Sequence, residues 1–213
     1  MSDAGPVMDT KKGMGAMVKR CAWATGSELM IAYHDREWGV PVHDDRKLFE
    51  YLVLDAFQAG LSWAIILNKR ESFREAFDNF EAKKIARYTS RKVERLLSDP
   101  GIIRNRQKMT ATVANARAFL RIREEHGSFA TFIWQFVGGV PRHNSWKTMR
   151  DIPTKTTESD QMSKTLRDRG FSFVGSTICY AFMQAAGMVN DHLVTCFRHA
   201  DVQALHRHGP RLR

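Results

Sequence analysis

The sequence predicts an all-α fold, and three observations support this prediction. Apolar residues recur at three- and four-residue spacing along several segments, as they do on the buried face of a helix. Residues that cap helices, such as Asp44 and Ser62, stand immediately before these segments. The sequence lacks the sustained alternation of apolar and polar residues, and the Asn-Gly or Asp-Gly turns, that are typical of β-hairpins.

Two helices are predicted in the first part of the chain. The first follows Asp44 and continues to about residue 59, with one face formed by Leu48, Leu52, Asp55 and Ala59. The second follows Ser62 and includes Trp63, Ile66 and Phe73. A carboxylate within an apolar face is costly to bury, so Asp55 needs a salt bridge, a proton or a place in a pocket. The pattern leaves the salt bridge and the pocket open.

A hairpin between two helices is predicted next. Ser90 begins a short helix over residues 91–97, and a longer helix carries Met109, Val113, Ala116 and Leu120 at helical spacing. The turn between them contains Pro100, Gly101 and Ile102 and is followed by the basic Arg104. Backbone N–H groups in such a turn can hold a DNA phosphate, and basic neighbours add attraction. An ordinary connection between helices explains the same residues.

Further segments complete the predicted helices. Ser128 begins an aromatic-rich segment that ends at Gly138 and Gly139, and residues 141–155 form a loop. Ser159 opens a helix that Gly170 closes. Residues 177–189 are apolar on almost every side, which predicts a buried helix.

The predicted organisation is one folded domain over residues 20–197 between two tails. Residues 1–19 are polar and are expected to be disordered, and they lack the apolar core of a secretory signal. Residues 198–213 form a basic tail. Its three histidines fit a solvated tail better than a metal site: His199, His206 and His208.

The composition indicates a compartment and a kind of partner. Lys and Arg number 33 and Asp and Glu 23, so the net charge of +10 favours a polyanionic partner, although a basic surface also serves solubility alone. The sequence contains no apolar run long enough for a membrane span. Three cysteines are too few for a disulfide scaffold, which fits a reducing cytoplasm.

Two cysteines and two histidines near the ends of the domain have the residue types of a zinc site. Cys21 and His34 lie near its start, and His192 and Cys196 share one helical face near its end. Two thiolates and two imidazoles complete the tetrahedral shell of a structural zinc ion. Burial of the cysteines as small apolar residues is the alternative, and it is the role expected of Cys179.

Four large aromatic residues lie near polar loops: Trp23, Tyr33, Trp38 and Trp63. Such rings can form a cage that attracts a positively charged, alkylated base by stacking and cation–π interaction. They can equally belong to a hydrophobic core, which is the commoner role of large aromatic side chains.

Five segments closely resemble the DNA-3-methyladenine glycosylase I family, in the family's order. They are residues 31–41 (IAYHDREWGVP), 58–63 (QAGLSW), 101–104 (GIIR), 169–180 (RGFSFVGSTICY) and 189–192 (VNDH). The resemblance extends over about residues 20–197. It implies a helix-hairpin-helix DNA glycosylase fold in which one structural zinc ties the N-terminal segment to the C-terminal one.

The resemblance also implies roles for individual residues. The family's zinc ligands correspond to Cys21, His34, His192 and Cys196. Its base-stacking aromatics correspond to Tyr33 and Trp63, with Trp23 and Trp38 nearby. Its DNA-probing loop falls at residues 58–62, where Gly60 precedes Leu61 and the leucine fills the gap left by the extruded base. Its strand-anchoring hairpin corresponds to Pro100, Gly101, Ile102 and Arg104.

Two residues depart from the family's pattern, and both belong to the base pocket. Asp55 stands where the family has a glutamate that reads the polar edge of the base, so the side chain is shorter by about 1.5 Å. Met30 stands where the best-known members have a tyrosine. The range of lesions is therefore the property that the resemblance determines least.

The resemblance implies a base-excision repair enzyme that releases N3-alkylated adenine from double-stranded DNA and leaves an abasic site. Asp55 is the candidate catalytic residue and binds the base edge. The helix after the hairpin has no Asp or Glu between Arg104 and Arg123, so the catalytic aspartate of many related glycosylases is missing, and no lysine indicates strand cleavage. The alternatives are a non-catalytic sensor of alkylated DNA and a zinc-stabilised nucleic-acid-binding protein. A monomer is expected.

Overall fold

The computed structural model describes residues 18–207, and the fold is mostly helical, as predicted. Residues 1–17 and 208–213, which belong to the two predicted tails, lie outside the described residues. Within the described range, the α-helices are α1 (Glu28–Arg36), α2 (Asp45–Gln58), α3 (Trp63–Asn68), α4 (Arg70–Ala76), α5 (Ala82–Ile85), α6 (Ser90–Leu97), α7 (Arg106–His126), α8 (Phe129–Trp134), α9 (Thr157–Asp168), α10 (Ser176–Ala185) and α11 (Phe197–Arg207). None of these described helices combines the length and apolar composition that a membrane span requires.

Helix α2 forms the centre of the hydrophobic core. Every residue from Leu48 to Phe57 is buried, and α7, α8 and α10 pack around the helix. Asp44 caps its N-terminus, as predicted, because the carboxylate accepts a hydrogen bond from the backbone N–H of Lys47 at 2.8 Å. Asp55 lies in the last turn of this buried helix, so its surroundings decide whether the carboxyl group can carry a charge.

Several helix boundaries differ from the predicted ones. The helix predicted after Ser62 is divided at Lys69 into α3 and α4. Thr89, rather than Ser90, caps α6. Thr156, rather than Ser159, caps α9, and Ser159 completes a capping box with it. Two neighbouring hydroxyl residues each have the chemistry of a cap, and the sequence alone does not distinguish them.

The segment 177–189, predicted as one helix, divides into α10 and a short strand. The chain turns at Gly187, where φ is +68° and an added Cβ would lie 2.3 Å from the carbonyl carbon of Val40. Strand β2 (Val189–Asn190) then pairs in parallel with β1 (Arg142–His143), inside the predicted loop. This pair is the one addition to the predicted all-α fold within the described residues, and two residues are too few to show an alternating pattern.

Residues 197–207 form helix α11, so the prediction of a solvated tail was wrong as far as residue 207. Val202 is fully buried. The side chain of Asn190 donates to the carbonyl oxygen of His199 at 3.0 Å, and the His199 ring lies 2.8 Å from the carbonyl oxygen of Asn144. A single buried valine among charged residues gives no helical periodicity, which is why the sequence did not indicate a packed helix.

Candidate active site and metal centre

A cavity of about 550 Å³ lies between α1, α2, α3, α10 and the loop that precedes α9. The structure brings together all five residues that the sequence predicted for the base pocket: Trp23, Tyr33, Trp38, Asp55 and Trp63. Met30 also lines the cavity. The cavity has the size of a small-molecule site, and aromatic walls with a few polar groups are typical of such sites.

Asp55 is the acidic residue in the cavity wall. Its side chain is buried, and its Oδ2 atom has no hydrogen-bond partner among the described residues. Among the described residues, no basic side chain forms an ion pair with Asp55. Of the two alternatives left by the sequence, the structure therefore supports a place in the pocket and not a salt bridge. Burial raises the pKa of Asp55 well above its usual range, because desolvation penalises the charged form.

Trp63 brings a second unsatisfied polar group to the cavity. Its indole Nε1 is buried and donates to no acceptor among the described residues. A buried donor or acceptor without a partner costs roughly 1–3 kcal/mol. An unpartnered donor and an unpartnered carboxyl oxygen in one cavity are therefore typical of a site whose hydrogen bonds are completed by a ligand.

The aromatic rings meet one another at steep angles. Tyr33 and Trp63 have ring centroids 5.2 Å apart at 45°, and Trp23 and Trp38 are 4.9 Å apart at 80°. A planar base held between two parallel rings needs centroids about 7 Å apart, twice the normal stacking distance. In this arrangement Tyr33 and Trp63 present adjoining walls, so a planar ligand can stack on one ring face from the cavity side.

The metal-ligating residues predicted from the sequence converge at one point. The ligand atoms of Cys21, His34, His192 and Cys196 all lie within 4.8 Å of one another, and all four residues are buried. Sulfur-to-nitrogen distances are 3.8 Å between Cys21 and His192 and 3.4 Å between Cys196 and His34. Zinc with usual tetrahedral bond lengths separates such atoms by about 3.5 Å. The cluster therefore has the dimensions of a closed metal site.

Each of the two imidazoles is oriented toward this cluster by a contact that its other ring nitrogen makes with an oxygen atom. Nδ1 of His34 lies 2.7 Å from a carboxylate oxygen of Asp35, and Nε2 of His192 lies 3.0 Å from the carbonyl oxygen of Trp38. Each ring thus turns its other nitrogen to the thiols, which is the usual arrangement of ligating histidines. A hydrogen bond from Cys21 lowers the pKa of the Cys196 thiol against the opposing effect of burial. A thiolate is the form that binds a metal.

The predicted DNA-contacting segments lie in two turns. Gly60 is exposed with φ +85°, and Leu61 is half-buried against the core. In the hairpin between α6 and α7, Pro100 and Arg104 are exposed and Ile102 is buried. These residues lie in the turns before α3 and α7.

The hairpin leaves backbone donors available. The N–H of Gly101 donates to the carboxylate of Asp99 at 2.7 Å, so it is already occupied. The amides of Ile102, Ile103 and Arg104 donate to no acceptor within the described part of the protein. Three adjacent free amides before a helix can bind an anion such as a phosphate.

Known proteins share the sequence pattern and the fold of this chain. A family model described as methyladenine glycosylase matches residues 23–199. The chain belongs to this family. DNA-3-methyladenine glycosylase 1 of Escherichia coli (strain K12) is 50% identical over 179 residues, which cover 84% of this chain and 96% of that protein.

Solved structures of methyladenine glycosylases share the fold. A crystal structure of 3-methyladenine DNA glycosylase I matches with a TM-score of 0.82 and 51% identity, over 84% of this chain and 98% of the other. The Staphylococcus aureus enzyme, whose structure describes 3-methyladenine recognition, matches with a TM-score of 0.81 and 38% identity, over 84% of this chain and 95% of the other.

Much of the cavity wall of this methyladenine glycosylase was not predicted from the sequence. The missed residues are Met149, Ile152, Pro153 and Thr154 of the loop and Thr177, Tyr180, Ala181 and Gln184 of α10. Asp191 holds part of this wall, since its carboxylate accepts hydrogen bonds from Tyr180 at 2.7 Å and Gln184 at 2.8 Å. The signal was available at Tyr180 and Gln184, which are polar positions in an apolar helix, but the loop carries no periodic pattern.

Proposed function

We propose that this protein is a DNA-3-methyladenine glycosylase that extrudes N3-alkylated adenine from duplex DNA, hydrolyses its N-glycosidic bond and leaves an abasic site. The observation that supports this most strongly is Asp55, a buried carboxyl group in a cavity walled by large aromatic rings, whose Oδ2 atom has no hydrogen-bond partner among the described residues. A cationic base with a polar edge supplies a charge for the rings and a hydrogen bond for the carboxyl group.

The chemistry needs little acid catalysis. N3-alkylation gives adenine a positive charge, so the base departs as a neutral molecule when its bond to the sugar breaks, and water adds to the sugar carbon. The enzyme must bind the cationic base and support the positive charge that develops on the sugar. This agrees with a helix α7 that offers no Asp or Glu between Arg104 and Arg123.

Asp55 and Trp63 are the groups proposed to read the base edge. In the free protein, burial favours the protonated form of Asp55. A positively charged base nearby favours the carboxylate, which then accepts a hydrogen bond from the amino group of adenine. The unpartnered indole N–H of Trp63 donates to an acceptor on the ligand. Tyr33, Trp23 and Trp38 supply aromatic walls that exclude water.

The hairpin and the loop 58–62 are proposed to hold the DNA. The free amides of Ile102, Ile103 and Arg104 bind a phosphate, and the Arg104 side chain adds attraction. Leu61 fills the gap left by the extruded base. No lysine lines the cavity among the described residues. We therefore expect the protein to bind the DNA backbone without cleaving the strand.

The buried Cys–His cluster is proposed to hold one zinc ion. Cys21, His34, His192 and Cys196 would complete its coordination, so no position remains for water or substrate. The ion would contribute folding energy and no reaction step. The free cysteines fit a reducing cytoplasm, and a monomer remains the expected state.

Base release from methylated DNA tests the function. Purified, zinc-loaded protein is incubated with methylated genomic DNA, and the released bases are identified by chromatography. We expect wild type to release N3-methyladenine and Asp55→Asn to release at least tenfold less. Glu50→Gln is the matched control, since Glu50 is also a buried acid of α2 but pairs with Arg74 at 2.6 Å outside the cavity. Folded protein that binds methylated DNA and releases no base would contradict the enzyme and indicate a sensor.

A further inference from the structure

Two lysines connect the loop 58–62 to the hairpin from opposite sides. Lys69, at the junction of α3 and α4, donates from Nζ to the carbonyl oxygens of Pro100 at 2.9 Å and Gly101 at 3.2 Å. Lys108, in the first turn of α7, donates to the carbonyl oxygens of Phe57 at 2.9 Å and Ala59 at 2.7 Å. Each lysine follows one DNA-contacting turn in the chain and binds the backbone at the other.

The contact by Lys108 satisfies the end of a buried helix. The last carbonyl groups of α2 accept no hydrogen bond from an N–H group of the same helix. A cation at this end also interacts favourably with the helix dipole. The residue Lys108 is only 8% exposed, which is unusual for lysine. Its ammonium group is therefore bonded within the protein rather than solvated. Between the two residues that Lys108 binds, Gln58 donates from its side chain to the carbonyl oxygen of Leu61 at 3.0 Å and closes the loop.

A third contact lies between the two lysines. A Cβ added to Gly101 would lie 3.1 Å from Cβ of Ser72 on α4, so the hairpin packs tightly on the helix that Lys69 begins. Since the glycine has no positive φ, this close approach explains the residue better than turn conformation does. The hairpin therefore packs directly on α4. The ammonium group of Lys69 bonds the hairpin, and that of Lys108, in the helix after the hairpin, bonds the backbone at the loop 58–62.

We infer that Lys69 and Lys108 are positioning residues that hold the hairpin and the loop 58–62 as one rigid unit. A phosphate bound by the hairpin then fixes how far Leu61 enters the duplex, and with it the point at which the extruded base meets Trp63 and Asp55. Neither lysine is among the described residues that line the cavity, and each one's described hydrogen bonds are made to carbonyl oxygens. This inference rests on the proposed glycosylase function.

The test compares Lys69→Met, Lys108→Met and the double variant in the full-length, zinc-loaded protein. Methionine keeps the length of the side chain and removes its donors. Lys164→Met is the control, because Lys164 is exposed and its described ion pair is with Asp168 one helical turn away. The measurements are single-turnover base release at saturating methylated DNA, the Kd for free 3-methyladenine by tryptophan fluorescence, and amide hydrogen exchange of residues 58–62 and 100–104.

We expect each single variant to release base about 10- to 100-fold more slowly, as small misplacements of reacting groups do. Binding of free 3-methyladenine should change less than twofold, because the cavity itself is intact. The double variant should lose less than the product of the single losses, since either break frees the same unit. Exchange should accelerate in both turns when either lysine is changed, and Lys69→Arg should recover part of the rate.

Unchanged base release in both single variants would overturn the inference. An equal loss of free-base binding would also overturn it, because the lysines would then support the cavity in general. Lys69 is half-buried at a helix junction, so Lys69→Met keeps the test open if Lys108→Met does not fold. If wild type releases no base, the glycosylase function fails on its own, and coupled exchange in the two turns still decides whether they form one unit.

Discussion

The two buried acids of α2 should respond in opposite ways to replacement by leucine. Asp55 has no partner for its Oδ2 atom, whereas Glu50 pairs with Arg74 at 2.6 Å. Asp55→Leu removes an unsatisfied polar group and retains much of its volume. Glu50→Leu removes the buried partner of the Arg74 guanidinium and leaves it only the exposed Glu71 among its described partners.

The magnitudes follow from these contacts. An unsatisfied buried polar group costs roughly 1–3 kcal/mol, so Asp55→Leu should stabilise the free protein by about 2 kcal/mol. For a chain of this size, each kcal/mol moves the melting temperature by about 2–4 °C, which gives a rise of about 4–8 °C. Glu50→Leu should destabilise by about 1 kcal/mol or more, because the pair is mostly buried. Base release should be lost only in Asp55→Leu.

The pH dependence gives an independent check. Burial raises the pKa of Asp55 in the folded state above the value of about 3.9 in the unfolded chain, so between these values the folded state binds more protons. The contribution of Asp55 to stability therefore falls as pH rises through this window. Thermal unfolding from pH 4 to 8 should show the advantage of Asp55→Leu growing with pH. A variant less stable than wild type across this range would refute the view that the carboxyl group is unsatisfied.

Four further outcomes are expected. Metal analysis should find one zinc per chain, and chelation or Cys196→Ala should lower the melting temperature by several degrees; an unchanged value after metal loss would contradict the site. Trp63→Phe should slow base release about tenfold without loss of stability, because it removes a buried N–H that has no acceptor among the described residues and is proposed to bind the ligand. Val202→Asp should destabilise the protein by at least 2 kcal/mol, since the side chain is fully buried. An unchanged stability would contradict the packing of α11 against the domain. Arg104→Ala should weaken binding to damaged and undamaged DNA alike and reduce the salt slope by about one, and a sequence- or lesion-specific loss would contradict a phosphate contact.

The candidate pocket and metal-ligating residues were easier to predict from the sequence than the contacts that hold them in place. Asp55 stood out as a carboxylate on an apolar face, and Cys21 and Cys196 had the residue types and neighbours of a metal site. These signals are local, so they survive without knowledge of the fold. The convergence of residues 21 and 196 on one point became an expectation through the family resemblance, since spacing alone does not bring distant pairs together.

Other features depend on contacts that no local pattern records. The break at Lys69 is invisible in the apolar periodicity, because the residues on both sides keep helical spacing. Lys108 looks like a solvent-exposed base at the start of a helix, yet its ammonium group is bonded to carbonyl oxygens 49 and 51 residues away in the chain. The loop from Met149 to Thr154 lines the cavity, and it follows strand β1, whose pairing with β2 is too short to predict.

The Cys–His cluster has a consequence for the order in which the enzyme is assembled. The rings of Trp38 and His192 lie 4.6 Å apart, so an aromatic wall of the cavity rests on a residue near the other end of the chain. During synthesis, a chain that stops before residue 192 already contains the described cavity residues but not His192, on which the wall rests. Such long-range closure is among the slowest events in folding. The lesion-binding cavity is thus expected to mature last, after release of the finished chain, and no N-terminal fragment should bind a damaged base.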